Sequence, residues 1–234
     1  MRTLKWIAAI LVLVVVSGLL LFMVSGFGKN RNETPDASIP EPVRNLPLKN
    51  TKSGPNVIIA RLQEETLIDG FSCAADWVHF TRSGQLSKCT LSEDVVVQNN
   101  LIPGNTWVVL DEDLNLKYCS FPKDTEIQGY LCKGGAGGSE GTSTAFYHGG
   151  RLKAFYAPSN VMIQGIPCGK GFSSPIYLHE NGNLKECTTS SNLKIGTLSI
   201  PARSDIAISE DGEVTILDDS LARRMKLRIA EIFD

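Results

Sequence analysis

From about residue 57 onward, apolar side chains recur at every second position and then stop at a turn. Val108 and Leu110, Ile176 and Leu178, and Ile206 and Ile208 follow this rule, the pattern of a strand with one buried face. Polar triplets ending in glycine come next: Arg82-Ser83-Gly84, Glu180-Asn181-Gly182 and Glu210-Asp211-Gly212. Three loop residues closed by Gly predict a type I turn whose left-handed Gly forms a G1 bulge. Such a loop sets Phe80 opposite Leu86 and Leu178 opposite Leu184 on one face. Leu114 stands at the Gly position of the second unit, so that turn is expected to differ.

These segments are copies of one another. Phe80 to Cys89 and Leu178 to Cys187 follow one plan, as do Leu110 to Cys119, Phe146 to Phe155 and Ile208 to Leu217. The anchoring residues Leu86, Leu116, Leu152, Leu184 and Val214 are spaced by 30, 36, 32 and 30 positions. The long interval holds the glycine-rich stretch 134–141, an inserted loop. A second half also recurs, in Asp124 to Cys132 and Asn160 to Cys168, with a truncated copy in Thr66 to Cys73. It predicts a third short strand carrying Ile127 or Ile163 and ending at Gly129 or Gly165. A unit this small cannot bury its apolar face alone and needs its neighbours. The expected fold is therefore all-β, a tandem β-hairpin repeat array over 57–217.

The ends read differently. Trp6 to Phe27 carries no charge; as a helix it would span about 33 Å at roughly 1.5 Å per residue, enough for a bilayer core. Residues 1–28 are thus expected to form a transmembrane anchor, with a cleaved signal peptide as the rival reading. Length favours the anchor, and the short basic leader (Arg2, Lys5) places the rest outside the cytoplasm. Five prolines between Gly28 and Pro55 make 29–56 a linker. In 218–234, Ser220 is placed to cap a helix, with Leu221, Met225, Ile229 and Ile232 on one stripe. This C-terminal amphipathic helix is expected to cap the open end of the array; a membrane-surface or partner helix is the alternative.

Charge narrows the partners. Residues 57–217 hold 12 Lys+Arg against 18 Asp+Glu, whereas 1–56 hold 7 against 3. An acidic module disfavours nucleic acid as a ligand. All six cysteines, Cys73, Cys89, Cys119, Cys132, Cys168 and Cys187, follow the anchor, and an even count in an exported module suggests disulfides. Aligned by repeat, one column reads Ala60, Cys89, Cys119, Phe155, Cys187 and the other Cys73, Ile102, Cys132, Cys168, Ile200. Exchange with Ala, Phe and Ile points these positions into the core, where Cys also serves as a small hydrophobe. Disulfides and buried thiols both remain open. No Cys-x-x-Cys pair supports a zinc or redox site, and no cofactor signature is present.

Of the histidines, His148 beside the glycine insertion is the candidate ligand contact; His79 lies in a first strand and His179 near a turn. Asp111-Glu112-Asp113 forms an acidic turn, with too few fixed oxygens for a calcium cage. Trp77 and Trp107 share a column just before the first strand, either as packing residues or as an aromatic pair that stacks on sugars. The units resemble bacterial hairpin-repeat proteins of the MORN-like kind, which read Tyr/Phe-x-x-x-Gly-x-Leu-Lys-x. The resemblance covers about 57–217 and implies an interaction or scaffold surface rather than catalysis. The expected function is a membrane-tethered extracytoplasmic (periplasmic or extracellular) module that binds a protein or glycan partner or serves as a scaffold. The alternatives are a cell-envelope hydrolase with its site near 134–148, and a purely structural envelope protein.

Overall fold

The computed structural model describes residues 39–135, 143–171 and 174–217. Long and short hairpins alternate along the chain. The first long hairpin, β1 (Leu48–Ser53) and β2 (Val57–Leu62), is followed by a short one, β3 (Thr66–Ile68) and β4 (Phe71–Cys73). The pattern then repeats with β5 (Trp77–Thr81) and β6 (Leu86–Thr90), β7 (Val95–Val97) and β8 (Asn100–Ile102), and β9 (Trp107–Leu110) and β10 (Leu116–Ser120). It continues through β11 (Thr125–Ile127) and β12 (Tyr130–Cys132), β13 (Ser143–Phe146) and β14 (Leu152–Phe155), and β15 (Val161–Ile163) and β16 (Ile166–Cys168). The series closes with β17 (Ile176–Leu178) and β18 (Leu184–Thr188), β19 (Leu193–Ile195) and β20 (Leu198–Ile200), and β21 (Asp205–Ile208) and β22 (Val214–Ile216).

Among the described residues the long hairpins join edge to edge into one antiparallel sheet of twelve strands, with β1 and β22 at its edges. The short hairpins form five separate two-stranded ladders. Their buried ends, such as Ile68, Ile127 and Ile163, pack in one continuous core with Phe80, Leu86, Leu152 and Leu184 of the sheet. The array is thus two rows of hairpins with the core between them, and no unit closes a core alone.

The turns follow the sequence pattern. Phe80 pairs with Leu86 and Leu178 with Leu184. Gly182 and Gly212 have φ of +87° and +89°. Leu114 corrects the expectation of a different second turn: its φ is +62°, and its N–H donates to the Asp111 carbonyl as the Gly182 N–H does to that of His179. Asp111 steadies this left-handed Leu, because its Oδ1 accepts from the N–H groups of Asp113 and Asn115, both at 2.9 Å. At Gly182 a Cβ would meet nothing within 4 Å, so the cost of Gly182→Ala is conformational alone. A loss of about 1 kcal/mol in urea unfolding is expected; an unchanged midpoint would contradict it.

Three further differences from the sequence reading have physical causes. The short strand does not end its unit at Gly129; Gln128-Gly129 makes a two-residue turn and β12 returns. Both turn residues have positive φ (+52° and +82°), the type I′ geometry that matches strand twist. The Pro-rich stretch is not spacer to residue 56. A one-turn helix, α1 (Glu41–Arg44), buries Val43 completely, and Leu46 and Leu48 also pack on the core. Strand β1 then covers the first edge with exposed Lys49 and Lys52 and a register shift between them, features that discourage edge-to-edge association.

The other end is less covered. Ile195 is 36% exposed, whereas its counterparts Ile68, Val97, Ile127 and Ile163 are at most 9% exposed. The expected transmembrane helix (1–28) and C-terminal helix (218–234) lie outside the described residues. Among the described residues no helix is long and apolar enough to cross a membrane.

Candidate functional site

The short-hairpin turns reach across to the next long hairpin. Asp69, Gln98, Gln128 and Gln164 open these turns at φ of +48° to +52°, a conformation that disfavours residues with a Cβ. Each side-chain oxygen accepts a backbone N–H of the following long hairpin. Leu86 donates to Asp69 at 2.7 Å, Leu116 to Gln98 at 3.2 Å, Leu152 to Gln128 at 3.1 Å and Leu184 to Gln164 at 3.0 Å. The four donors belong to buried anchoring residues, so an unmet N–H there would be costly. Gln164→Ala should lose about 1–2 kcal/mol, within the range for an orphaned donor. Gln164→Glu retains an acceptor, as Asp69 does, and should recover most of the loss in the same denaturant titration. Equal losses in the two variants would remove the acceptor role.

In the middle of the array these contacts merge into a polar network. Asn100 is 4% exposed and occupies a column otherwise held by Phe71, Tyr130, Ile166 and Leu198. Its Nδ2 donates to the Gly150 carbonyl at 2.9 Å, and Gln128 Nε2 donates to Asn100 Oδ1 at 2.9 Å and to Gly150 O at 2.8 Å. Gln98 Nε2 donates to the His148 carbonyl. A groove of about 460 Å³ opens beside them, lined by Asn99, Asn100, Gln128, Tyr130, Gly149 and Arg151 among others. Sequence reasoning passed over Asn100, although a lone amide in an apolar column was a visible signal.

His148 lies at this same edge, facing the acidic turn of the preceding unit. Its Nδ1 is 3.0 Å from Asp111 Oδ2 and its Nε2 is 3.8 Å from Asp113 Oδ2. The three side chains present donor atoms within 4.8 Å of one another, but His148 and Asp113 are 71% and 74% exposed. Among the described residues only Asp111 of the three is fixed by backbone N–H groups, and no hydroxyl or thiol hydrogen-bonds to the His148 ring. Partial burial of Asp111 acts to raise its carboxyl, but the Asn115 N–H, His148 and the Asp113 N–H together hold it below the usual carboxylate value. A carboxyl lowered in the folded state stabilises above its unfolded value, near 4, and loses that contribution as pH falls further. Asp111→Ala should cost about 1 kcal/mol at neutral pH. Its unfolding midpoint should approach that of the parent chain below pH 4; a pH-independent gap would sink the carboxylate role.

The tryptophans do not form a contiguous platform. Trp77 begins β5 and is 42% exposed. Trp107 begins β9 and is half-buried, with β6 lying between the two strands. The Lys88 ammonium sits 5.5 Å from the Trp107 ring centroid, so a cation already occupies that ring. His79 lies in β5, opposite Lys88, and the His179 ring is 2.7 Å from the Ile208 carbonyl through Nε2.

All six cysteines are buried, and Leu91, Phe121 and Ala157 are buried two residues beyond the first column, as alternation requires. Lys88, Tyr118 and Glu186 are half-buried on the opposite face of their strands. The cysteines meet in twos. Cys168 Sγ lies 2.6 Å from Cys187 Sγ. The Cys89 thiol is hydrogen-bonded to Cys73, and this contact together with burial pushes its pKa up. Burial raises Cys119, with Cys132 close enough to add to the effect, and raises Cys132 to about 12. Such thiols are unsuited to nucleophilic catalysis, which needs the thiolate.

No protein-family model matches the chain, and no curated protein matches it. Among solved structures there is similarity to a chain of the GtfA/B complex bound to UDP and GlcNAc, at 9% identity and a TM-score of 0.21. The match covers 85% of this chain and 31% of that one, so this chain spans about a third of its length. A TM-score of 0.21 assigns neither fold nor function.

Proposed function

We propose that the chain is a membrane-tethered extracytoplasmic module that binds a protein partner through the outer face of its short hairpins. One observation carries the reading. The central residues of these hairpins point away from the core, and Leu67, Val96, Leu101, Leu131 and Met162 are 70%, 67%, 60%, 48% and 64% exposed. They recur unit after unit along β3, β7, β8, β12 and β15. Exposed apolar side chains aligned in this way mark interaction surfaces far more often than scattered single ones. The MORN-like resemblance supports the same reading. The hydrolase reading has less behind it, since among the described residues the His148 ring meets carboxylates and no hydroxyl or thiol.

A photo-crosslinking residue placed at Val96 or Leu131 in the cell-borne full chain should give an adduct larger than the chain. The same residue at exposed Glu213 should not. Leu67→Glu, Leu101→Glu and Met162→Glu together should abolish the adducts while leaving thermal unfolding unchanged. An export-dependent reporter fused behind Pro55 should be active. Adducts absent from both ridge positions, or a reporter active only in the cytoplasm, would overturn the corresponding half of the proposal.

A further inference from the structure

The two cysteine columns interleave in space. The ends of the short hairpins meet the long hairpins on either side: after Cys132, Lys133 N–H donates to the Tyr156 carbonyl of the following one at 2.7 Å and Gly135 N–H to the Phe121 carbonyl beside the preceding one at 3.1 Å. Ala74 N–H donates to the Thr90 carbonyl and Ser92 N–H to that of Ser72, both at 2.8 Å. Gly169 N–H donates to Thr188 and Ser190 N–H to Pro167, both at 2.7 Å. Read along the core, the columns give Ala60, Cys73, Cys89, Ile102, Cys119, Cys132, Phe155, Cys168, Cys187, Ile200, all buried. Cysteines occur there as three adjacent pairs, with one apolar residue between each pair and the next. None stands alone. If Cys were only a small filler, nothing would favour a second Cys beside the first, because these columns also accept Ala, Ile and Phe. Adjacency in every case is what a covalent pair requires.

We propose that the six cysteines form three disulfides, Cys73–Cys89, Cys119–Cys132 and Cys168–Cys187, each joining a short hairpin to the neighbouring long one. This is one of fifteen possible connectivities. Each bond forms by exchange with a disulfide oxidant, a protein disulfide or oxidised glutathione. One thiol loses its proton and attacks the oxidant, giving a mixed disulfide. The second thiolate displaces the oxidant's sulfur, so two protons and two electrons leave the pair and the oxidant departs as thiols. The pairs are sealed from solvent in the folded chain, which places the exchange on the folding chain. The bonds close short loops within the array and none spans Phe155. The inference does not rest on the proposed partner surface, since the columns and contacts stand without it.

Trypsin, cutting after Lys and Arg, places each cysteine in its own peptide: 62–82, 89–117, 118–123, 124–133, 154–170 and 186–194. The full chain in detergent, refolded from the reduced denatured state in a glutathione redox buffer, then unfolded in acidic denaturant and alkylated there before digestion, should show three linked pairs. These are 62–82 with 89–117, 118–123 with 124–133, and 154–170 with 186–194, each lighter by two hydrogens than its reduced peptides. Cys187→Ser should leave Cys168 open to alkylation and the other two links intact. Six alkylated cysteines in the parent chain, any other linkage, or a new partner for Cys168 in the variant would overturn the proposal.

Discussion

Phe155→Ala should cost about 3–5 kcal/mol, the range for truncating a fully buried Phe, and should also divide the unfolding of the array. Phe155 is 1% exposed, its ring centroid lies 5.2 Å from that of Tyr130, and it is the residue between Cys132 and Cys168 in the interleaved core column. In a linear array each unit is stabilised mainly by contact with its neighbours. A cavity at this position weakens the one junction between the units before β14 and those after it, and the proposed disulfides do not bridge that junction. Of the three tryptophans, Trp77 and Trp107 lie in the array and both precede it, so in a Trp6→Phe background tryptophan fluorescence follows the N-terminal units while far-UV circular dichroism follows all strands. In the parent chain the two transitions should coincide. In Phe155→Ala the dichroism should begin to fall at lower urea than the fluorescence. Coincident curves shifted by less than 1 kcal/mol would mean that the junction is not where the array is coupled.

What could be read from the sequence was whatever obeys period two. The pairing of Phe80 with Leu86 and the left-handed Gly182 follow from alternation and from glycine at a turn that demands positive φ, and the inward cysteines from their exchange with Ala, Phe and Ile between repeats. What could not be read was where alternation is broken. Leu86 and Cys89 are three positions apart, yet both are buried. The register shifts between them, with Phe80 opposite Leu86 and His79 opposite Lys88, so Ser87 is an extra residue. Lys117, Lys153 and Lys185 repeat the bulge in later units. Each bulge lets an anchoring Leu and a core Cys or Phe point the same way. The return strands of the short hairpins escaped notice because their exposed positions are also apolar: Val96 pairs with Leu101, which erases the contrast on which strand reading depends. Gln98 and Gln164 carry no turn signal of their own, and their left-handed conformations make sense only with the distant Leu116 and Leu184 N–H groups in view. The meeting of His148 with Asp111 has the same origin. These residues sit on turns of adjacent units, and only the stacking of units brings them together.

Gly150→Ala should be far more damaging than Gly182→Ala, although both glycines close the same kind of turn with φ of +80° and +87°. The conformational cost of about 1 kcal/mol is common to both. The surroundings differ. A Cβ on Gly150 would lie 2.5 Å from Gln98 Cβ and 3.1 Å from the Gln98 carbonyl oxygen, and both atoms belong to a tight turn that cannot swing aside as a side-chain tip would. Displacing Gln98 releases the Leu116 N–H it accepts, and moving Gly150 loosens the carbonyl that takes hydrogen bonds from Asn100 and Gln128. One orphaned buried group adds about 1–3 kcal/mol, so a total of about 3 kcal/mol is expected for Gly150→Ala by urea titration. A double-mutant cycle isolates the collision. Gln98→Gly removes the Cβ that the introduced methyl group would strike and relieves a left-handed Gln, so Gly150→Ala made in that background should cost little more than Gly182→Ala. If Gly150→Ala costs the same with and without Gln98, the two turns yield to each other freely, and the central network does not fix the spacing of the units.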